Sequence, residues 1–115
     1  MHSAQRRLEA ARILLAQGYV PDAISRMYYG AFESAKALLL LEEIDPGTHA
    51  GTINQLGHHF RDRIETAALT RLRQDREGCD YELSRPPVEY GEELLEDAQQ
   101  FVGKVSALLE ELRPS

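Results

Sequence analysis

The chain has 115 residues, of which 43% are hydrophobic and 28% are charged, so it has enough apolar side chain to bury a core. Its 19 acidic and 13 basic residues give a formal charge of −6. That charge disfavours binding of nucleic acid over the whole surface and leaves only a local basic patch open to phosphate. Cys79 is the single cysteine of the sequence, which excludes an intrachain disulfide and a cysteine-based zinc finger.

The sequence has no run of ~20 apolar residues that could span a membrane. Its longest apolar run, Ala37–Leu41, covers little more than one helical turn. The arginines near the N-terminus are followed by no apolar segment typical of a signal peptide. These features predict a protein of the cytoplasm without a membrane partner.

Helical periodicity dominates the first part of the chain. Ser3 is predicted to cap a first helix that ends near Gln17, where Gly18 provides a stop. A second helix is predicted from Val20 to about Glu43, because apolar residues recur there every three or four positions. These residues form one continuous stripe: Val20, Ala23, Ile24, Met27, Tyr28, Ala31, Phe32, Ala35, Leu38 and Leu39.

Three further helices are predicted beyond the Pro-Gly break at 46–47. Thr48 is expected to cap the third helix. Its inward positions are predicted to be Ile53, Leu56, Phe60 and Ile64. The fourth helix extends from about Ala67 to Cys79, and the consecutive prolines of segment 84–87 require a loop. The last helix is predicted from about Val88 to Leu112.

Two long helices, a shorter N-terminal helix and a divided middle region predict an all-α fold, an antiparallel bundle of four to five helices. This bundle is expected to be a single domain over residues 1–115. Leu40 and Leu41 lie off the main apolar stripe of the second helix. The surplus of apolar residues predicts a second contact surface, most simply that of a homodimer.

The segment 71–81 is the first candidate functional region. On one helix Arg73, Arg76 and Asp80 share a face. The planar, permanently charged guanidinium group suits phosphate, and Asp80 could orient a hydroxyl group or act as a base. The alternative is a solvated helix face whose arginines pair with neighbouring carboxylates.

The polar edge of the second helix is the other candidate. Arg26, Tyr29, Glu33 and Lys36 follow one another at helical spacing beside the apolar stripe. They either border a groove or form an ordinary amphipathic edge. Tyr28 and Tyr29 are adjacent, so one ring can enter the core while the other stays at its rim.

The histidines show no metal-binding spacing. His58 and His59 are adjacent and point ~100° apart on a helix. His49 follows the cap residue and is interpreted as part of a cap or turn, and Cys79 as a small buried residue. Because glycine-rich phosphate loops are also absent, neither a metal nor a cofactor is predicted.

Three segments, in this order, resemble HEPN-domain proteins. Residues 25–39, SRMYYGAFESAKALL, are similar to the signature second helix of that family. Residues 48–51 resemble the segment that follows it, and residues 76–81, REGCDY, resemble its R-x-x-A-D-Y element. The resemblance covers nearly the whole chain and implies a bundle of four to five helices that usually forms a homodimer.

The resemblance also implies functions. Many HEPN proteins are metal-independent ribonucleases with an Arg-x(4–6)-His motif at the dimer interface, and many pair with a minimal nucleotidyltransferase as toxin and antitoxin. Others bind nucleotides or serve as interaction modules. Arg76 matches the motif arginine best, with Arg73 as the alternative, whereas Asp80 stands at the histidine position and Tyr81 follows it. A carboxylate with a pKa of about 3.9 cannot donate a proton at neutral pH as an imidazole can.

Two main hypotheses follow from this departure. The first is a dimeric, non-catalytic module that binds a minimal nucleotidyltransferase and a nucleotide. Its expected phosphate contacts are Arg73, Arg76, Tyr29 and Lys36. The alternative is an RNA-cleaving toxin in which Arg76 stabilises the phosphorane and Asp80 or Tyr81 moves protons. An unrelated scaffolding role is a third possibility.

Overall fold

The computed structural model describes residues 2–81 and 85–113 and contains five α-helices in these ranges. They are α1 (His2–Ala16), α2 (Val20–Leu41), α3 (His49–Phe60), α4 (Ala67–Tyr81) and α5 (Val88–Leu112). Neither range contains a β-strand. The all-α bundle expected from the sequence is therefore confirmed.

Helix α2 is the centre of the bundle, because it packs against each of the other four helices. Its apolar stripe is fully buried at Ile24, Met27 and Leu38. The short connection 17–19 places α1 beside α2 as an antiparallel neighbour. Gly30 permits a close approach of these two helices, since a Cβ atom there would lie 3.1 Å from the Ala4 carbonyl oxygen.

The predicted cap of the first helix is wrong. Helix α1 already begins at His2, so Ser3 lies within its first turn. The Ser3 hydroxyl donates to Oε2 of Glu33 on α2 at 2.7 Å. Because Ser3 lies within the helix and not before its first residue, it is not the cap residue of α1.

Several predicted helix ends agree with the structure within a few residues. Gly18, with φ of +84°, follows α1 as expected. Helix α2 ends at Leu41, earlier than predicted, because Glu43 adopts φ of +62° and the Ile44 N–H returns to the Leu39 carbonyl at 2.9 Å. The left-handed residue at 43 thus stops α2 before its predicted end.

The cap of α3 is confirmed, since the Gly51 N–H donates to Oγ1 of Thr48 at 2.8 Å. Helix α4 continues past Cys79, which is buried as expected. Of the predicted loop, residues 85–87 are not helical, and Ser84 lies outside the described residues. The Thr48 cap fixes the first turn of α3, where His49 lies.

Candidate functional site

Helices α2, α3 and α4 bring two tyrosines, a histidine and an arginine together. Tyr28 and Tyr29 belong to α2, His49 begins α3 and Arg76 comes from α4. Cζ of Arg76 lies 5.2 Å from the centroid of each tyrosine ring, and its Nη1 donates to Tyr29 Oη at 2.6 Å. We refer to these four residues as the Arg76 site.

The aromatic rings form a packed wall on one side of this site. Tyr28 is fully buried and Tyr29 is half-buried, and their rings meet edge to face with centroids 5.2 Å apart. The predicted division into a core ring and a rim ring is therefore confirmed. The His49 ring stacks on Phe32 at 4.2 Å with an interplanar angle of 14°. This stacking holds the imidazole next to the tyrosines.

The Tyr28 hydroxyl determines which nitrogen of His49 carries the proton. Tyr28 Oη and His49 Nδ1 are 2.6 Å apart. Among residues 2–81 and 85–113, Nδ1 is the hydrogen-bond partner of this buried hydroxyl, and a buried O–H without an acceptor would cost about 1–3 kcal/mol. The hydroxyl therefore donates to Nδ1. This hydrogen-bond network assigns the neutral ring a proton on Nε2.

The surroundings of the His49 imidazole and the Tyr28 phenol keep both side chains uncharged near neutral pH. Partial burial lowers the pKa of His49, and the positive charges of Arg76, Arg73 and Lys36 lower it further. Burial raises the pKa of the Tyr28 phenol, an effect that Arg73 and Arg76 only partly offset. The site consequently presents a neutral imidazole beside a permanent cation.

Arg76 has hydrogen-bonding capacity that its neighbours do not use. Its side chain is 15% exposed, and Nε is a buried atom with no hydrogen-bond partner among the described residues. Oδ2 of Asp80 lies 3.9 Å from Nε, which is beyond hydrogen-bonding distance. A guanidinium with an unused N–H donor attracts an oxyanion, so Arg76 is suited to bind one.

The other predicted phosphate contacts lie around this site. Arg73 forms an ion pair with Oε1 of Glu77 at 3.2 Å. Lys36 is exposed, and no ion pair of its ammonium group occurs within residues 2–81 and 85–113. Because Arg73 and Lys36 both lower the pKa of His49, they add positive potential to the Arg76 site.

The two remaining predicted residues are more peripheral. Asp80 has a side chain that is 44% exposed and pairs with Arg76 on the next helical turn. Tyr81, the last residue of α4, is 76% exposed. The structure thus places Asp80 at the rim of the Arg76 site and Tyr81 on the surface.

The polar edge of α2 does not act as one unit. Tyr29 contacts Arg76, whereas Glu33 turns towards α1 and pairs with Arg7 at 2.8 Å in addition to accepting from Ser3. Arg26 is exposed. One member of the predicted strip therefore belongs to the site, and Glu33 joins two helices.

The arginines of α4 also divide between two sides. Arg71 donates to Oδ2 of Asp97 on α5 at 3.0 Å, and its guanidinium lies over the Tyr90 ring at 5.1 Å. The Tyr90 hydroxyl in turn donates to Oδ2 of Asp75 at 2.6 Å. Burial raises the pKa of this phenol, and so does the bond to Asp75. This network joins α4 to α5, away from Arg76.

His49 is the site residue that the sequence did not identify. His49 lacks metal-binding spacing to the other histidines, and its position after Thr48 predicts only part of a cap or turn. His49 is the first residue of α3, in agreement with its predicted place at the helix start. Its side chain, however, contacts Tyr28 and Phe32 and does not cap the helix. The signal available in the sequence was its place in the Thr-His-Ala-Gly segment.

Within the described part of the chain, no three His, Cys, Asp or Glu side chains are grouped so that they could hold a metal ion. None of the described helices combines the length and the apolar character needed to cross a membrane.

Comparison with known proteins identifies the family. A model of the HEPN domain matches residues 1–112. "Putative toxin MJ0605" of Methanocaldococcus jannaschii is 34% identical over 114 residues, which cover 95% of this chain and 85% of that protein. "UPF0332 protein PH1297" of Pyrococcus horikoshii is 43% identical over 77 residues, which cover 63% of this chain and 54% of that protein.

A second M. jannaschii protein, "Putative toxin MJ0142", is 37% identical over 60 residues, which cover 52% of this chain and 41% of that protein. The chain therefore spans most of the first relative and about half or less of the other two. Since the domain model extends over nearly the whole sequence and a relative of similar length is 34% identical, the chain belongs to the HEPN family.

Proposed function

We propose that this chain is a cytoplasmic, toxin-like HEPN protein that binds the phosphate group of a nucleotide or of RNA at the Arg76 site. The observation that carries the proposal is the guanidinium of Arg76, held against two tyrosine rings with a buried Nε that has no hydrogen-bond partner among the described residues. Arginine is well suited to phosphate because its donors form a planar fork.

The neighbours of Arg76 support the same function. The Nε2–H of the neutral His49 ring is a second donor, and Arg73 and Lys36 supply positive charge in a chain whose formal charge is −6. Asp80 is the competing anion. Because its carboxylate is 44% exposed and 3.9 Å from Arg76 Nε, a phosphate can replace it at low cost.

Calorimetric titration tests this binding. Adenosine 5′-monophosphate and inorganic phosphate should bind the wild-type chain, and Arg76→Met should lose at least tenfold in affinity. Asp80→Asn should bind more tightly, because it removes the competing carboxylate. Arg71→Met is the matched control, since Arg71 lies on the α5 side of the same helix. Absence of binding, or equal loss in both arginine variants, would reject the proposal.

We further propose that the protein acts as a homodimer and that its partner is a minimal nucleotidyltransferase. Leu40 and Leu41 support self-association, because they remain 50% and 37% exposed at the end of α2. The family resemblance and the relatives named as toxins support the pairing. Sedimentation equilibrium should give twice the 13.0 kDa mass of the chain. A nucleotidyltransferase encoded in the adjacent reading frame should copurify with it.

A metal-independent ribonuclease is the second candidate function, and one observation favours it. His49 provides, next to Arg76, the imidazole that the segment 76–81 lacks. Incubation with RNA in the presence of EDTA would reveal cleavage, with a DNA strand of the same sequence as the control. Cleavage that disappears in Arg76→Ala and in either His49→Gln or Asp80→Asn would establish this function. Cleavage unchanged in all three variants would exclude it.

A further inference from the structure

A groove runs along the surface between α1 and α5. Its larger part, with a volume of about 820 Å³, lies between the end of α1 and the beginning of α5. A smaller part of about 230 Å³ lies between residues 5–9 of α1 and residues 99–103 of α5. Gln99 lines both parts, so they are neighbouring parts of one groove. Because the two helices are antiparallel along it, the groove follows both helix axes.

The length and the floor of this groove suit a helix. Its lining extends from Gln5 to Ala16 on α1 and from Val88 to Gly103 on α5, which is about 17 Å and about 23 Å of helix. Its floor consists of buried apolar side chains, namely Leu8, Leu15, Leu95 and Val102. A third helix can pack between two others in this way, with interaxial distances of about 8–10 Å.

The α5 wall of the groove is acidic. Residues 88–99 contain five acidic residues and no basic residue. Glu89, Glu92 and Glu96 share one exposed face of α5, and none of them forms an ion pair within residues 2–81 and 85–113. On the α1 wall, Glu9 and Arg12 form an ion pair with each other. The groove therefore carries negative charge that no cation of its own lining balances.

We infer that the groove between α1 and α5 binds an amphipathic helix of a partner protein, whose apolar side chains contact the floor and whose lysines or arginines pair with Glu92 and Glu96. A second copy of this chain is the poorer occupant, because a two-fold contact through the groove would bring the same glutamates of both copies together. The inference is independent of phosphate binding, since no residue of the Arg76 site lines the groove.

A synthetic peptide tests the groove directly. It has about 14 residues, the length of helix that the groove accommodates, with leucines on one face and lysines on the other. Its binding to the full chain is measured by fluorescence anisotropy, and the same peptide with glutamates in place of the lysines is the negative control. The double variant Glu92→Gln/Glu96→Gln neutralises the acidic wall, and Ala16→Phe fills the groove from an exposed position of its lining. Asp62→Asn/Glu65→Gln removes the same charge from exposed residues outside the groove and is the matched control.

The lysine peptide should bind and the glutamate peptide should not. Binding should weaken at least fivefold in Glu92→Gln/Glu96→Gln and at least tenfold in Ala16→Phe, and less than twofold in the matched control. The peptide should shift the NMR signal of the Gly103 N–H, which lies at the groove, and not that of Gly57 on α3. No binding of the lysine peptide, an equal loss in the two double variants, or a shift at Gly57 alone would overturn the inference. A lower mass of Ala16→Phe in sedimentation equilibrium would assign the groove to a second copy and overturn it as well.

Discussion

The charge of Arg76 should control the protonation of His49, and the variant Arg76→Met tests this directly. Arg76 Cζ lies 5.2 Å from the Tyr28 ring centroid, and that centroid lies 5.6 Å from the centroid of the His49 ring. The cation and the imidazole are therefore separated by at most 5.2 Å plus 5.6 Å, or 10.8 Å. Methionine keeps an unbranched chain at this position and removes the charge.

Coulomb's law gives the size of the effect. At this separation two unit charges repel by about 0.4 kcal/mol at the dielectric constant of water and by about 1.5 kcal/mol at an effective value of 20. Since one pKa unit corresponds to about 1.4 kcal/mol, Arg76→Met should raise the pKa of His49 by roughly 0.3–1.1 units. The separation is an upper bound, so a closer approach would increase the shift. Low ionic strength keeps screening small.

The assay is an NMR titration of the His49 ring proton between pH 5 and 8. In the wild-type chain the pKa of His49 should lie below its ordinary value, because burial and the neighbouring cations favour the neutral ring. The pKa of His49 should rise in Arg76→Met. It should stay unchanged in Arg71→Met, because the guanidinium removed there binds Asp97 on α5. An unchanged or lower value in Arg76→Met would refute the electrostatic account of the site.

The same shift makes the stability of the fold depend on pH. The pKa of His49 is lower in the folded chain than the ordinary value of about 6.5 in the unfolded chain, so the unfolded chain binds more protons between the two values. Its contribution to stability is thus fully present above about pH 6.5 and is lost as the pH falls through the folded value. The difference in unfolding free energy between wild type and His49→Gln, measured with urea, should grow as the pH rises through this window.

The remaining predictions concern the dimer and the packing of the helices. Leu40→Glu should convert the proposed dimer to a monomer in sedimentation equilibrium, whereas Ile13→Glu, at an apolar residue with similar exposure on α1, should not. Gly103→Ala should stabilise α5 by about 0.5–1 kcal/mol in urea unfolding, because a Cβ atom there meets no atom within 4 Å beyond the adjacent backbone of its own helix. Gly30→Ala should lower stability, since its Cβ atom would lie 3.1 Å from the Ala4 carbonyl oxygen. Equal effects of the two alanines would contradict this account.

Helix ends were predictable where a signal depends only on adjacent residues. Thr48 caps α3 through an N–H three residues later, and Gly18 follows α1 with the positive φ that glycine readily adopts. Ser3 shows the limit of such reasoning. Its sequence context is that of a cap, but its hydroxyl bonds to Glu33, thirty residues away in the chain, and only the packing of α1 on α2 determines that contact.

The same limit explains what the sequence revealed of the site. Residues 73 and 76 differ by about 60° around a helix, and residues 71 and 73 by about 160°, so the division of the α4 arginines between two sides follows from helical geometry. Helical geometry does not say which groups face each side, because Tyr29 on α2 accepts from Arg76 and His49 on α3 bonds to the neighbouring Tyr28. The roles of Asp80 and Tyr81, and the single domain over residues 1–115, stay predictions.

The proton on His49 distinguishes the two proposed functions. With the Tyr28 hydroxyl donating to Nδ1, the ring can donate from Nε2 to a bound phosphate without any rearrangement. To act as a base at Nε2 it must first move its proton to Nδ1, and the buried Tyr28 hydroxyl would then lose its acceptor. That rearrangement costs about 1–3 kcal/mol, the price of a buried donor left unpaired. The hydrogen bonds of the unbound site therefore favour binding over catalysis, and an RNA-cleaving reaction would require its substrate to provide a new acceptor for Tyr28.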